Sequence, residues 1–230
     1  MKRSKVKLCI LSEIGPVRPN NEDAYLALRK HSFFAIADGM GGHNAGEVAS
    51  KETIEKLSQA IQRIPIQNSK EFLEILQEAI HDVNAKVFQM GQENSHLQGM
   101  GTTLCCLQLY PDDVIYAHVG DSRIYRYRKN ELKQLTEDHA LFTSTPQKIV
   151  ITRAIGTSPK VEPEIASATV EKGDIFFMCT DGLTNFVTMQ EMEEILAKSL
   201  PLKKTVKQFI RAALTKGSYD NITVLMLQIR

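Results

Sequence analysis

Tryptophan is absent from the 230 residues, aromatic residues make up only 7 %, and there are only four cysteines. Cys9, Cys105, Cys106 and Cys179 lie in apolar, strand-like runs with no CxxC or Cys/His spacing. They read as buried free thiols of a reducing cytoplasm, which excludes a zinc finger and a disulfide scaffold. Charge of one sign is lacking too: 28 basic against 27 acidic residues leave +1. A protein that grips a phosphate backbone would carry a basic excess, so no nucleic-acid partner is expected. No apolar run approaches the length of a membrane span, so no membrane association is expected. Met1 to Lys5 is basic like the start of a leader, but only Leu8 to Leu11 follow before Ser12 and Glu13, too short for its apolar core. Repeats, low-complexity tracts and linkers are absent as well, so residues 1–230 read as one domain, a monomer with 43 % hydrophobic residues to build its core.

What is present is organised around Phe33-Phe34-Ala35-Ile36-Ala37-Asp38-Gly39-Met40-Gly41-Gly42. The unbroken apolar run reads as a strand covered on both faces. It delivers Asp38 into glycines that let backbone approach an ion closely. Alone, Asp-Gly would be a turn dipeptide. The pattern recurs, however: apolar runs lead into Gly120-Asp121 and Thr180-Asp181-Gly182, and Asp220-Asn221 precedes the run from Ile222. Arg18-Pro-Asn-Asn-Glu22-Asp23 adds two carboxylates and an arginine before another strand-like stretch. If these ends converge, four to six carboxylates share one cleft, and like charges so close require protonation or cations. Oxygen donors without clustered Cys or His favour Mg²⁺ or Mn²⁺ over zinc.

Arg18 to Asp23, Ala37 to His43, Gly101-Thr-Thr103, Val119-Gly-Asp-Ser-Arg123, Thr136-Glu-Asp-His139, Thr152-Arg-Ala-Ile-Gly156, Thr180-Asp-Gly-Leu-Thr184 and Asp220-Asn-Ile-Thr223 stand in the order seen in PP2C-type protein phosphatases. From about Leu8 to Ile229 the chain resembles a bacterial, stand-alone member of this PPM family of metal-dependent protein serine/threonine phosphatases. The resemblance implies a four-layer α-β-β-α sandwich of class α+β, with two packed antiparallel sheets flanked by helix pairs. It implies hydrolysis of phosphoserine and phosphothreonine on proteins by a water activated at two Mn²⁺ or Mg²⁺ ions, with phosphoproteins and a Ser/Thr protein kinase as partners.

On matching positions, Asp38 would bridge both metals, Asp181 and Asp220 would hold one, and Glu22 with the Gly39 carbonyl the other. Asp23 would orient a water at the metals, and Asp121 would help Asp181 hold a weaker third ion. Arg18 would clamp the phosphate with its planar fork, a surface ion pair being its ordinary alternative. Arg123 and Arg153 read as structural. No Ser, Cys or His is framed as a nucleophile, which favours direct attack by water.

Period and punctuation supply the remaining elements: an opening strand through Val6, Leu8 and Ile10, a helix from Ala45 to Ile61, and a second helix capped by Asn68 with Glu71 and striped by Phe72, Leu76, Ile80 and Val83. Met90 to Gly101 reads as a loop, and His81 and His96 as surface histidines. Strands follow from Leu104, with a hairpin turn at Lys129-Asn130. Thr188 and Glu191 form a capping box, Pro201 opens a last helix, and Lys216-Gly217 closes it.

Three departures stand out. Methionine occupies position 40, where many eukaryotic members have a histidine general acid, so a water at the metals or His139 would have to serve, or the leaving group would depart without an acid; His43 reads as a solvated loop residue. Gly217-Ser218-Tyr219 replaces paired glycines. Between His139 and Thr152 only a short segment with Pro146 stands where bacterial relatives carry a longer helical flap, which predicts an open cleft with no helix over it. A metal-free adaptor would have lost carboxylates that are all present here. A two-metal nuclease is disfavoured by the missing basic surface.

Overall fold

The computed structural model describes residues 6–41, 45–64, 69–142 and 149–230. Its strands are β1 (Val6–Glu13), β2 (Asp23–Leu28), β3 (Phe33–Met40), β4 (Gly101–Thr102), β5 (Leu104–Leu109), β6 (Asp113–Val119), β7 (Arg123–Arg128), β8 (Glu131–Gln134), β9 (Ala140–Phe142), β10 (Ile149–Ile151), β11 (Glu164–Thr169), β12 (Ile175–Cys179) and β13 (Ile222–Ile229). The helices are α1 (Ala45–Arg63), α2 (Ser69–Glu93), the single turn α3 (Asp181–Thr184), α4 (Met189–Ala197) and α5 (Leu202–Thr215). One antiparallel sheet has the order β1-β13-β12-β7-β8, the other β11-β6-β5-β3-β2, with β4 paired to β3 and β9 to β10.

Side-chain alternation stacks these elements in four layers. On β3, Phe33, Ala35 and Ala37 face α1 and α2 in a core with Leu57, Leu76 and Ile80. Phe34 and Ile36 point the other way, into the space between the sheets, where they meet Ile124, Phe176, Met178, Leu225 and Leu227. Phe177, Cys179, Val224 and Met226 turn outward to α4 and α5. Phe177 stacks on Tyr125 at 4.8 Å between ring centroids and meets Phe209 edge-on at 5.3 Å. This is the α+β, α-β-β-α sandwich that the resemblance implied.

Local signals fall where expected at several ends. Thr188 and Glu191 cap α4 reciprocally. Lys129 and Asn130 both take left-handed φ values, 51° and 66°, as a two-residue turn between twisted strands requires. One boundary is corrected: α2 continues through Met90 to Glu93 and is followed by a 3₁₀ turn, Ser95–Leu97, where a loop was expected. Gly91 permits this, because a side chain there would press on the Leu97 carbonyl. His96 is exposed, whereas His81 is half-buried with its Nε2 out of contact with water. In the short segment after His139, Ala140–Phe142 pairs with Ile149–Ile151 as two antiparallel strands. The remainder of that segment, the Asn68 cap, His43 and Gly42 lie outside the described residues.

Candidate active site

The strand ends do converge. Glu22, Asp38, Asp121, Asp181 and Asp220 line one cavity of about 220 Å³ together with Arg18, Gly39 and Thr103. Each carboxylate arrives by a different route. Asp38 lies near the end of β3, opposite Asp23 in the β2 register. Asp121 follows Gly120, whose φ of 106° and contact with the Thr103 side chain leave no room for a Cβ. Asp181 opens α3, where Asn185 donates to its Oδ2 at 3.0 Å. Asp220 precedes β13, and Arg18 donates to its Oδ2 at 2.8 Å. Gly39 is required sterically, since a Cβ there would collide with the Gly46 carbonyl at the start of α1.

A shell of hydroxyls and amides that the sequence reading did not single out fixes these groups. The Asp38 amide donates to Thr103 Oγ1 at 3.0 Å, and Thr103 N–H and Thr102 Oγ1 both donate to the Asp38 carbonyl. Glu22 N–H donates to Asn221 Oδ1 at 2.8 Å, while the Asn221 amide donates to the carbonyls of Ile14 and Asn20. The Glu22 carboxylate receives the backbone N–H of Glu47 in the first turn of α1, a natural seat for an anion. Asp23 does not line the cavity. It is buried behind Asp38, with Oδ2 accepting from Thr180 Oγ1 at 3.0 Å and Oδ1 unpartnered.

The electrostatics are those of anions gathered without enough cations. Burial, then Asp23 and Asp181, hold the Asp38 carboxyl well above its usual range. Burial raises Asp23 to about 7 against hydrogen bonds from Thr223 and Thr180, and burial with Asp181 and Asp138 raises Asp121 to about 7. Among the described residues, Arg18 is the one cationic side chain lining the cavity. An all-oxygen donor set and a glycine-cleared wall fit hard divalent ions.

Neighbouring residues take structural parts. Arg123 grips Asp138 through Nε and Nη2, at 2.9 and 2.7 Å, beside a second groove of about 280 Å³ that shares Asp121 and Asp181. Ser218, in the Gly217-Ser218-Tyr219 departure, keeps the turn by donating its hydroxyl to the Gly182 carbonyl at 2.8 Å, while Gly217 takes φ 88°. His118, His139 and Glu164 bring possible ligand atoms within 4.8 Å of one another at the edge between the sheets. Gly120 N–H donates to His139 Nδ1 at 3.2 Å, which engages the lone pair of the neutral ring, while the Arg153 guanidinium lies 3.3 Å from Nε2. Burial, then His118 and Arg153, lower the His139 pKa to about 4. Burial therefore favours the neutral ring, and His139 does not line the cavity that gathers the carboxylates.

The model of the protein phosphatase 2C family matches residues 18–217. Protein phosphatase PhpP of Streptococcus pneumoniae is 33 % identical over 97 % of this chain and 98 % of its own length. Serine/threonine phosphatase stp of Listeria innocua is 36 % identical over 93 % of this chain and 92 % of its own. Among solved structures, the serine/threonine phosphatase of S. agalactiae superposes with a TM-score of 0.92 at 32 % identity over 98 % of this chain and all of that one. The Mycobacterium tuberculosis phosphatase PstP/Ppp gives 0.88 at 32 % identity, covering 98 % and 99 %. The fold and site thus define a metal-dependent hydrolase of phosphoric monoesters, and the chain belongs to the protein phosphatase 2C family.

Proposed function

We propose that the protein removes phosphate from phosphoserine and phosphothreonine in proteins by direct attack of water at a binuclear Mn²⁺ or Mg²⁺ centre, opposing a Ser/Thr protein kinase. The observation that carries this reading is the meeting of five carboxylates and Arg18 in one cavity. Asp38 would bridge the two ions, with Asp181 and Asp220 on one, Glu22 and the Gly39 carbonyl on the other, and Asp121 sharing a weaker third with Asp181. When bound, such ions neutralise phosphate charge and make water a nucleophile near neutral pH.

The chain's own residues do the rest. Arg18 is 43 % exposed in its pair with Asp220, a contact worth about 0–1 kcal/mol, so its fork exchanges readily onto two phosphate oxygens. Buried Asp23, opposite Asp38 in the strand pair and anchored by Thr180, would orient a water at the metals. Thr103 holds the Asp38 backbone in place near the end of β3. Met40, which lines the cavity, cannot donate a proton to the leaving alkoxide.

Incubating the protein with a phosphothreonine peptide and Mn²⁺ should release phosphate, EDTA should abolish release, and a nucleic-acid substrate should remain intact. Phosphate release unaffected by EDTA, or cleavage of the nucleic acid, would overturn the reading.

A further inference from the structure

The solvent face of α5 breaks the rules that stabilise a helix. Lys203, Lys204, Lys207 and Arg211 are exposed on it, and the helix contains no acidic residue. At about 100° per residue these four and Leu214 fall within an arc of about 100°, away from the buried Val206, Phe209 and Ala213. Lys203, Lys207 and Arg211 stand at successive i, i+4 positions, where like charges repel. Lys203 and Lys204 also sit in the first turn, beside the positive end of the helix dipole, and Pro201 offers no side-chain cap. On α1, by contrast, Lys51 and Lys56 each meet a glutamate one turn away, and Lys216 just beyond α5 meets Glu191. Among the described residues, no ion pair joins the four cations of α5 to an acid. An arrangement that opposes helix stability and finds no compensation within the fold points outward.

It also has a direction. The C-terminal end of α5 leads into the site, because Ser218 is tied to Gly182 and Asp220 lines the cavity. Arg211 stands about 6 Å along the axis from the last residue of α5, and the row runs about 12 Å further to Lys203. Exposed Leu214 and Tyr219, 39 % and 56 % accessible, lie in sequence between Arg211 and Asp220.

We propose that this face of α5 docks an acidic segment of the phosphoprotein substrate, a few residues from the phosphorylated one, with Leu214 and Tyr219 receiving an apolar side chain between them. The proposal rests on the phosphatase reading and names the substrates it favours. An extended segment of about six residues, at about 3.3 Å each, spans the row from Lys203 to the end of α5. A lipid surface fits less well, since the apolar face of α5 is spent on the core and cannot enter a bilayer. A nucleic acid fits less well, since the row is one helix wide on a chain of net charge +1.

The test uses two phosphothreonine peptides identical at the centre, with flanking runs of glutamate in one and glutamine in the other. Each is turned over by the full chain and by the triple variant Lys203→Gln, Lys207→Gln, Arg211→Gln. At about 50 mM salt the glutamate peptide should show about a tenfold higher kcat/KM, through KM, and the advantage should shrink at about 500 mM. In the triple variant the advantage should vanish, with unchanged rates on the glutamine peptide and on para-nitrophenyl phosphate. Equal kcat/KM for both peptides in the wild type, or an advantage that survives in the triple variant, would overturn the docking strip. Binding of anionic phosphatidylglycerol vesicles that the triple variant loses, without peptide preference, would also overturn it, in favour of a membrane. Failure of the wild type to hydrolyse either phosphopeptide would instead sink the phosphatase reading beneath it.

Discussion

Replacing Asp121 with asparagine should stabilise the metal-stripped protein at about pH 8 while lowering turnover when Mn²⁺ is supplied. Asp121 is only 8 % exposed, and burial with Asp181 and Asp138 raises its carboxyl from 3.8 to about 7. An acid whose folded pKa lies above its unfolded value takes up a proton on folding between the two. Stability is therefore full below about pH 4 and drains as pH rises towards 7, the reverse of a salt-bridged aspartate. A shift of about three units corresponds to at most ~4 kcal/mol. Removing one anion also relaxes Asp181 and Asp38, and an open cleft admits water, so about half of that is expected in practice. At about 2–4 °C per kcal/mol for a chain of this size, Tm in EDTA should rise by about 4–8 °C at pH 8. The gain should fall by more than half at about pH 5, where folded Asp121 is already protonated. Saturating Mn²⁺ should narrow or reverse the ranking, because ions that bind only the native state stabilise the wild type by mass action. Thermal melts followed by far-ultraviolet circular dichroism read all of these. A lower Tm for Asp121→Asn in EDTA at pH 8, or an equal gain at both pH values, would refute the reasoning.

Asp38→Asn should lower kcat by about 10³-fold or more in a protein with an unchanged circular dichroism spectrum, because the proposed bridge between the ions is lost; near-normal turnover would sink the binuclear assignment. Arg18→Ala should raise KM for a phosphopeptide about tenfold with a smaller change in kcat, and Arg18→Lys should recover only part, since an ammonium cannot make the paired contact. Phe177→Ala, which empties the stack between Tyr125 and Phe209, should cost about 3–5 kcal/mol by urea titration and leave the folded fraction's KM untouched.

The carboxylates were legible because each stands at one end of an apolar or strand-like run, which is a local signal. Their supports were not, because they join distant positions: Glu22 to Asn221, Asp23 to Thr180, and Asp38 to Thr103. A threonine that orients a catalytic backbone looks, in sequence, like any β-propensity choice. The double burial of β3 and β12 had a similar effect. Unbroken apolar runs reveal that both faces are covered, yet they conceal that Phe33 goes to the helices and Phe34 to the opposite sheet. His139 shows the limit of motif reasoning, since its motif suggested an acid, whereas in the fold its Nδ1 accepts from the Gly120 amide and the ring does not line the cavity.

The last helix carries the same lesson in the other direction. Its apolar stripe of Leu202, Val206, Phe209 and Ala213 was readable and it packs as the period demands. Its cations were readable too, but a charged face opposite an apolar stripe is ordinarily just solvated. What gives those charges their proposed meaning is placement: α5 leads in sequence, through Ser218 tied to Gly182, to Asp220 at the cavity. On α1, Lys51 and Lys56 meet glutamates one turn away and need no partner from outside. The contrast between a compensated and an uncompensated helix in one chain is therefore what separates a solubilising surface from a recognising one.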